Sequence, residues 1–308
     1  MSNLPPLALE PLARLATSAG LVWALLTKPR TIASIPFLIP AIGKIVPEQN
    51  FNLFKLRYGL DPRQLHEAIL LSYDDVMNRA DAQLIKHTED PAAVEKCFFA
   101  RLTSDAQRHE DRPDAVRIVG TIGRTEHAFT RLGRETVCFQ QGGDPERGPA
   151  RIASLMATNA LTRTPKLLDA EPLASLYQRF GDAPAIGLAL GPFDDEWKKA
   201  ARGLLEVATA VGAAARPTSR ENLGFAIAIT GDWGDRGAKA AETLRGAWDD
   251  FATTTMGHLL SLDRPVGEPL AAGDRSVITL SVEIAPDRFA DGLKAVLETD
   301  LEAIMRLD

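Results

Sequence analysis

Short strands alternating with amphipathic helices predict an α+β chain built as two diverged β-α-β-α-β-type units, with sheets covered by helices. Two observations carry that prediction. Period-two apolar runs end at turn residues and are followed by apolar stripes at helical spacing. The same succession is laid down twice, over residues 1–165 and 166–308, and the halves meet in the polar stretch from Leu161 to Glu171. A parallel, doubly wound sheet is the alternative arrangement.

The second half shows the pattern most openly. Ile186, Leu188 and Leu190 alternate with small residues and end at Gly191-Pro192. Asp194 and Asp195 stand where a helix start wants a capping oxygen and negative charge. Trp197, Ala200, Ala201, Leu204, Leu205, Ala208 and Val211 follow at helical spacing, with Pro217 just past the end. Phe225, Ile227 and Ile229 mark a strand from Leu223 to Thr230. The glycine-rich turn from Gly231 to Gly237 leads into a helix whose stripe is Ala241, Leu244, Ala247, Trp248 and Phe251. A Pro- and Gly-rich loop from Asp263 to Gly273 precedes a strand with Ile278, Leu280, Val282 and Ile284 on one face. Pro286 suits the first turn of a last helix carrying Phe289, Leu293, Val296, Leu297, Leu301 and Ile304.

The first half can be laid over this order. Strands are expected at Leu21 to Leu26, at His66 to Tyr73 (ending in Asp74-Asp75), at Ala115 to Thr121 and at Glu135 to Gln140. Thr31 to Val46 reads as an interrupted helical segment, Pro91 to Leu102 as a helix, and Arg147 to Asn159 as the closing helix.

The 308 residues carry 35 Lys and Arg against 41 Asp and Glu, a net charge of −6. That excludes a general nucleic-acid binder, which needs a dense basic face to displace counterions from phosphate. The first 60 residues differ from the rest. Arg14, Lys28, Arg30, Lys44, Lys55 and Arg57 there face only Glu10 and Glu48, a local balance of +4. An apolar, basic segment of this kind suits peripheral contact with an anionic membrane surface. The simpler reading is that Ile32-Ala-Ser-Ile-Pro-Phe-Leu-Ile-Pro-Ala-Ile covers a hydrophobic sheet. Lys28, Pro29, Arg30, Pro36, Pro40 and Lys44 interrupt the most apolar stretch, so it lacks the ~20 uninterrupted apolar residues of a membrane span.

Nothing local spells out a reaction. The chain has no nucleophile elbow, no phosphate-binding P-loop and no His-Glu-x-x-His helix. His66, His87, His109, His127 and His258 form no close pair, and no metal or other cofactor is expected. Cys97, on an expected helix, and Cys138, on an expected strand, read as buried free thiols; a single bridge between them is the alternative. Asp74-Asp75, Asp194-Asp195 and Asp249-Asp250 are adjacent carboxylates, which seldom converge on one atom and serve more simply as caps and solvated edges. The remaining binding candidates are Asp232, Trp233 and Asp235 in the Gly231–Gly237 turn and Arg124 after Gly120-Thr-Ile-Gly123. In the first, glycines recur every third position where a helix terminus could hold an anion, although both aspartates oppose one; a tight turn with an aspartate cap and Trp233 packed at the edge is the simpler account. In the second, a hairpin is more economical than an anion site.

The run Lys28-Pro-Arg-Thr-Ile-Ala-Ser-Ile-Pro-Phe-Leu-Ile-Pro, then Val46-Pro-Glu and Tyr58-Gly-Leu-Asp-Pro-Arg, resembles uncharacterised envelope lipoproteins of GC-rich, myxobacteria-like bacteria. Gly191-Pro-Phe-Asp-Asp-Glu-Trp197 and Val211-Gly-Ala-Ala-Ala-Arg-Pro217 are similar to stretches of the same proteins. The resemblance implies a leader and a lipidated cysteine, and it supplies no catalytic residues. It implies a cell-envelope or periplasmic location if a native leader has been removed, and a cytoplasmic one otherwise.

Three functions follow in order of expectation. The first is a non-catalytic binding or scaffold protein of the bacterial envelope, a subunit of a larger assembly, working with a protein partner or a second copy of itself. The second is a carrier of an apolar or lipid-like ligand, which requires an enclosed apolar pocket. The third is an enzyme whose site joins distant residues of the two halves.

Overall fold

In chain order the strands are β1 (Leu21–Thr27), β2 (Glu67–Asp74), β3 (Arg79–Lys86), β4 (Gln107–Arg112), β5 (Ala115–Ile122) and β6 (Thr125–Leu132), then β7 (Thr136–Gly142), β8 (Ala185–Leu190), β9 (Ala208–Pro217), β10 (Leu223–Gly231), β11 (Leu270–Gly273) and β12 (Val277–Ile284). The helices are α1 (Pro29–Ala33), α2 (Ile39–Ile45), α3 (Glu48–Tyr58), α4 (Pro91–Phe99) and α5 (Pro149–Ala157), then α6 (Leu173–Phe180), α7 (Asp195–Ala200), α8 (Gly237–Ala252), α9 (Thr255–Leu259) and α10 (Pro286–Met305). The computed structural model describes residues 6–74, 79–103 and 105–305. Asp75 and the side chains of Leu297, Leu301 and Ile304 lie outside that description.

The class is α+β. The recorded strand pairings within each unit are antiparallel. The chain divides into two compact units, one of Met1–Arg30 with Gln49–Ser175, the other of Thr31–Glu48 with Leu176–Asp308. Residues 31–48 thus fall with the second unit, and 166–175 with the first.

In the first unit the strand order is β1-β2-β3-β7-β6-β5-β4. Both faces of this sheet are covered. On one face Val116, Ile118, Phe129, Val137 and Ile85 form a core with Val94 and Phe98 of α4 and with Leu60 and Leu65. Phe129 and Phe139 are opposed across β6 and β7, and Phe98 stacks on Phe129 at 5.0 Å. On the other face α5 buries Ala150, Ala153, Met156 and Ala157. Thr130 of β6 donates its hydroxyl to the Ala150 carbonyl, and the Ala150 amide donates to Oε1 of Gln140, so side chains of the sheet satisfy the start of the helix.

In the second unit the order is β11-β12-β10-β9-β8. Ile278, Leu280, Val282 and Ile284 of β12 and Ile229 of β10 pack with Leu244, Ala240 and Ala241 of α8. The apolar segment near the amino terminus belongs here. Rather than covering a sheet, α2 lies along α10, with the Lys44 ammonium 3.5 Å from Asp287 and 3.0 Å from Asp291.

Several elements follow the sequence pattern closely. The Asp194 carboxylate caps α7 by accepting from the Trp197 amide at 2.9 Å, and Asp90 caps α4 in the same way. The helix expected to run from Trp197 to Val211 does not. It stops at Ala200, and the Gly203 amide closes the end on the Lys198 carbonyl with φ of 83°. Residues 208–217, alanine-rich and helix-favouring on their own, are instead the central strand β9, bonded to β8 on one side and β10 on the other. Small residues are needed there because the Phe180 ring and Leu176 of α6 lie directly over Gly212. Trp197, expected in the helical stripe, is 65% exposed. The strands β3, β4 and β6 and helices α3 and α6 are additions to the expected order, and β11 occupies the end of the expected 263–273 loop.

Candidate functional site

The Gly231–Gly237 turn brings Asp232, Trp233 and Asp235 into one loop, and two of its amides are spent on the neighbouring chain segment. The Gly231 amide donates to the Ser276 carbonyl and the Trp233 amide to that of Arg275, both at 2.9 Å. Gly234 has φ of 53°, and a Cβ on Gly237 would come 2.1 Å from the Asp274 carbonyl oxygen. The glycine spacing therefore answers to a left-handed turn and a close backbone approach. No aspartate caps α8: its N-cap is Arg236, without a side-chain bond. Asp232 is exposed, and Asp235 pairs with Arg275 at 3.1 Å in solvent. Trp233 is 5% exposed within the core of the second unit, and its indole N–H has no acceptor.

Arg124 lies in the first unit. Ile122 and Thr125 pair directly, so Gly123 and Arg124 form a two-residue hairpin loop with Gly123 at φ 64°. Its side chain stands in solvent.

Two surface hollows have charged linings. One, of about 250 Å³, lies between α8 and β11, with Glu242 and Arg245 beside Ala238, Ala271, Ala272 and Gly273. The other, of about 770 Å³, lies along α4 of the first unit and collects Lys96, Arg108, Arg131 and Arg134 around Glu95, with Phe99 exposed beside them. Glu95 accepts from Arg108 Nε at 2.8 Å and from Arg131 Nε at 3.3 Å.

The titratable interior is mostly structural. Complete burial pushes the Cys138 thiol up to about 12, where it has no thiolate character at neutral pH. Cys97 is half-buried, and both cysteines are free. Burial lowers the pKa of His87, opposed by the backbone and carboxylate of Glu89, and neither ring nitrogen has a well-aligned hydrogen-bond partner among the described residues. Burial, then the nearby Glu10, raises the Glu67 carboxyl. Arg117, 5% exposed, donates Nη1 to Glu146 at 2.5 Å, and this bond holds the Glu146 carboxyl below its usual range. His109, opposite Arg117 on β4, has a buried Nε2 without a partner. His258, in the last turn of α9, lies 3.0 Å from Asp263 just beyond that helix. Among the described residues no group of three or more His, Cys, Asp or Glu could hold a metal ion.

The most unusual surface is α3, which is apolar on opposite sides. Phe54 and Tyr58 stack at 4.4 Å and pack on the first unit's core, with the Arg101 guanidinium 4.4 Å above the Tyr58 ring. On the other side Leu53 and Leu56 are 50% and 76% exposed. Arg57 and Lys55 flank them, both exposed, with the Lys55 ammonium 3.4 Å from Glu89. Composition alone marks the segment as basic and apolar; that these two leucines remain outside depends on which face the core takes.

No family model matches this chain, and no curated sequence matches it. Solved structures do. Crystal form III of TP0453 superposes with a TM-score of 0.54 at 9% identity, covering 94% of this chain and 99% of that one. The fold is similar to that of TP0453. Crystal form IV of TP0453 gives 0.52 at 8% identity, over 92% and 96% of the two chains. Form I gives 0.50 at 11%, over 93% and 97%. At such identities the likeness to TP0453 is one of fold, and it extends over nearly the whole of both chains.

Proposed function

We propose that this chain is a non-catalytic binding or scaffold protein of the bacterial cell envelope that rests on an anionic lipid surface through α3. The observation that carries this reading is the pair Leu53 and Leu56, held outward between Lys55 and Arg57 by a helix whose other side is anchored in the core. Burying two leucines in lipid is worth about 1.5–3 kcal/mol each. Each basic residue near an anionic surface adds about 1 kcal/mol. The sum supports reversible, salt-sensitive association. Among the described residues no helix is long and apolar enough to cross a membrane.

The carrier reading asks for an enclosed apolar cavity, and the two hollows above open to solvent and carry charged side chains. They give it no support. The test is co-sedimentation with vesicles of phosphatidylglycerol and phosphatidylcholine. The chain should pellet with the mixed vesicles at low salt, and the Leu53→Glu/Leu56→Glu variant should stay in the supernatant. If the unaltered chain ignores anionic vesicles at low salt, the lipid contact is wrong; if fractionated cells hold it only in the cytoplasm, so is the envelope.

A further inference from the structure

We propose that the outer edge of β11 pairs with β11 of a second copy, extending the second unit's sheet across a two-fold axis. β11 ends the strand order of that unit and bonds to β12 on one side. On its other side its backbone groups have no partner among the described residues. Such an edge is a template for another strand, and proteins ordinarily blunt it with charge, proline, a bulge, a covering helix or shortness of the strand. β4, the last strand of the first unit, has those defences: its sequence is Gln-Arg-His-Glu-Asp-Arg, and its register breaks between Glu110 and Arg112. β11 is short, four residues after Glu268-Pro269, but within it the sequence Leu-Ala-Ala-Gly carries no charge, pairs in unbroken register, and leaves Leu270 72% exposed.

The flank of α8 identifies the occupant. Glu242 and Arg245 lie one turn apart on the side of α8 that borders the hollow beside β11, both exposed and neither with an ion partner among the described residues. A two-fold axis through the strand pair runs β11 against its copy antiparallel and sets the two α8 helices antiparallel on one face. Because α8 packs over both β11 and β12, strands about 4.8 Å apart place the helices about 10 Å apart, a normal packing distance. Glu242 of each copy then meets Arg245 of the other. Ala238, Ala241, Ala271 and Ala272 are small enough for that approach. The patch is complementary to itself, as an isologous interface requires. The pairing is independent of any lipid contact.

The test is sedimentation equilibrium of the purified chain over a wide concentration range. We expect a reversible dimer. Leu270→Lys should be monomeric throughout with an unchanged melting temperature. Glu242→Lys should raise the dimer dissociation constant roughly tenfold or more by opposing like charges across the axis. The double variant Glu242→Lys/Arg245→Glu should restore it. A monomer at every concentration overturns the proposal, as does a dimer indifferent to Leu270→Lys, or a double variant no better than Glu242→Lys.

Discussion

Nine of the ten polar side chains buried among the described residues belong to the first unit, Arg117, His87 and Gln140 among them, and Thr230 alone belongs to the second. The contrast has a structural origin. In the first unit helices cover both faces of the sheet, so the alternate positions of β5, β6 and β7 that would face water elsewhere are enclosed. They then need partners, and Thr130, Gln140 and Glu146 supply them. The second unit has the tighter backbone approaches. Glycines and alanines let backbone meet backbone, as where Gly237 lies against Asp274 and Gly292 against Leu259. The lesson is that similar α+β layering can be specified by polar satisfaction or by steric fit, and the two should fail differently.

Steric failure should be the larger. Gly237→Ala is expected to cost about 3 kcal/mol, because the new methyl group would meet backbone that cannot rotate away. Gly123→Ala in the β5–β6 hairpin has open space and only its left-handed φ to contend with, so about 1 kcal/mol is expected. Urea denaturation of both variants checks the ranking; equal losses would erase the distinction between the units. Next comes the asymmetry of the Arg117–Glu146 pair. Glu146→Gln leaves a buried guanidinium uncompensated and should cost about 2–3 kcal/mol. Arg117→Met leaves a carboxylate that is 57% exposed and can hydrate, so its cost should be smaller, about 1 kcal/mol. The reverse order in the same denaturation experiment would mean that packing, not charge, decides this site.

The smallest effect is a pH dependence confined to the first unit. Burial depresses the pKa of His87 below its unfolded value, so the unfolded chain takes up a proton that the folded chain refuses. Stability should therefore fall as pH drops below about 6.5, by at most about 1.4 kcal/mol per pH unit. His87→Leu should reduce that slope down to about pH 5, above the range where carboxylates titrate, the remainder belonging to His127, whose pKa is also lowered by burial and by Arg101. Melting temperatures of both proteins across the window decide it, and a slope that survives the substitution undiminished places the titrating group elsewhere.

Much of the architecture was legible in the residues. The alternation in β2, β5, β8, β10 and β12, the Asp194 cap, the Pro286 start and the helical stripe of α8 are local features, and each structure follows its pattern. The stretch from Trp197 to Val211 shows where such reading fails. Its apolar spacing fits a helix, yet the Gly203 stop and two neighbouring strands claim residues 208–217 for the sheet. Arg117 shows a second kind of failure. Between Val116 and Ile118 it reads as the solvent side of a strand, yet it is 5% exposed and pairs with Glu146, twenty-nine residues onward. Of the candidate binding residues, Asp232, Trp233 and Asp235 share the expected turn, while the core position of Trp233 and the missing aspartate cap emerge only from packing. Leu53 and Leu56 carry no local signal, because α3 is apolar on both sides and shows no single stripe that would predict the helix.

The sequence by itself determined the α+β class, most strands and helix starts, and the apolar, basic character of the first 60 residues. Those depend on periodicity, capping and charge, which act over a few positions. Tertiary structure alone decided which alternate residues are buried twice over, that the alanine-rich run is a strand, and which sheet edge is charged and which is bare. Those outcomes depend on what lies across a face or beside an edge, and nothing within a few residues of the chain encodes that neighbour.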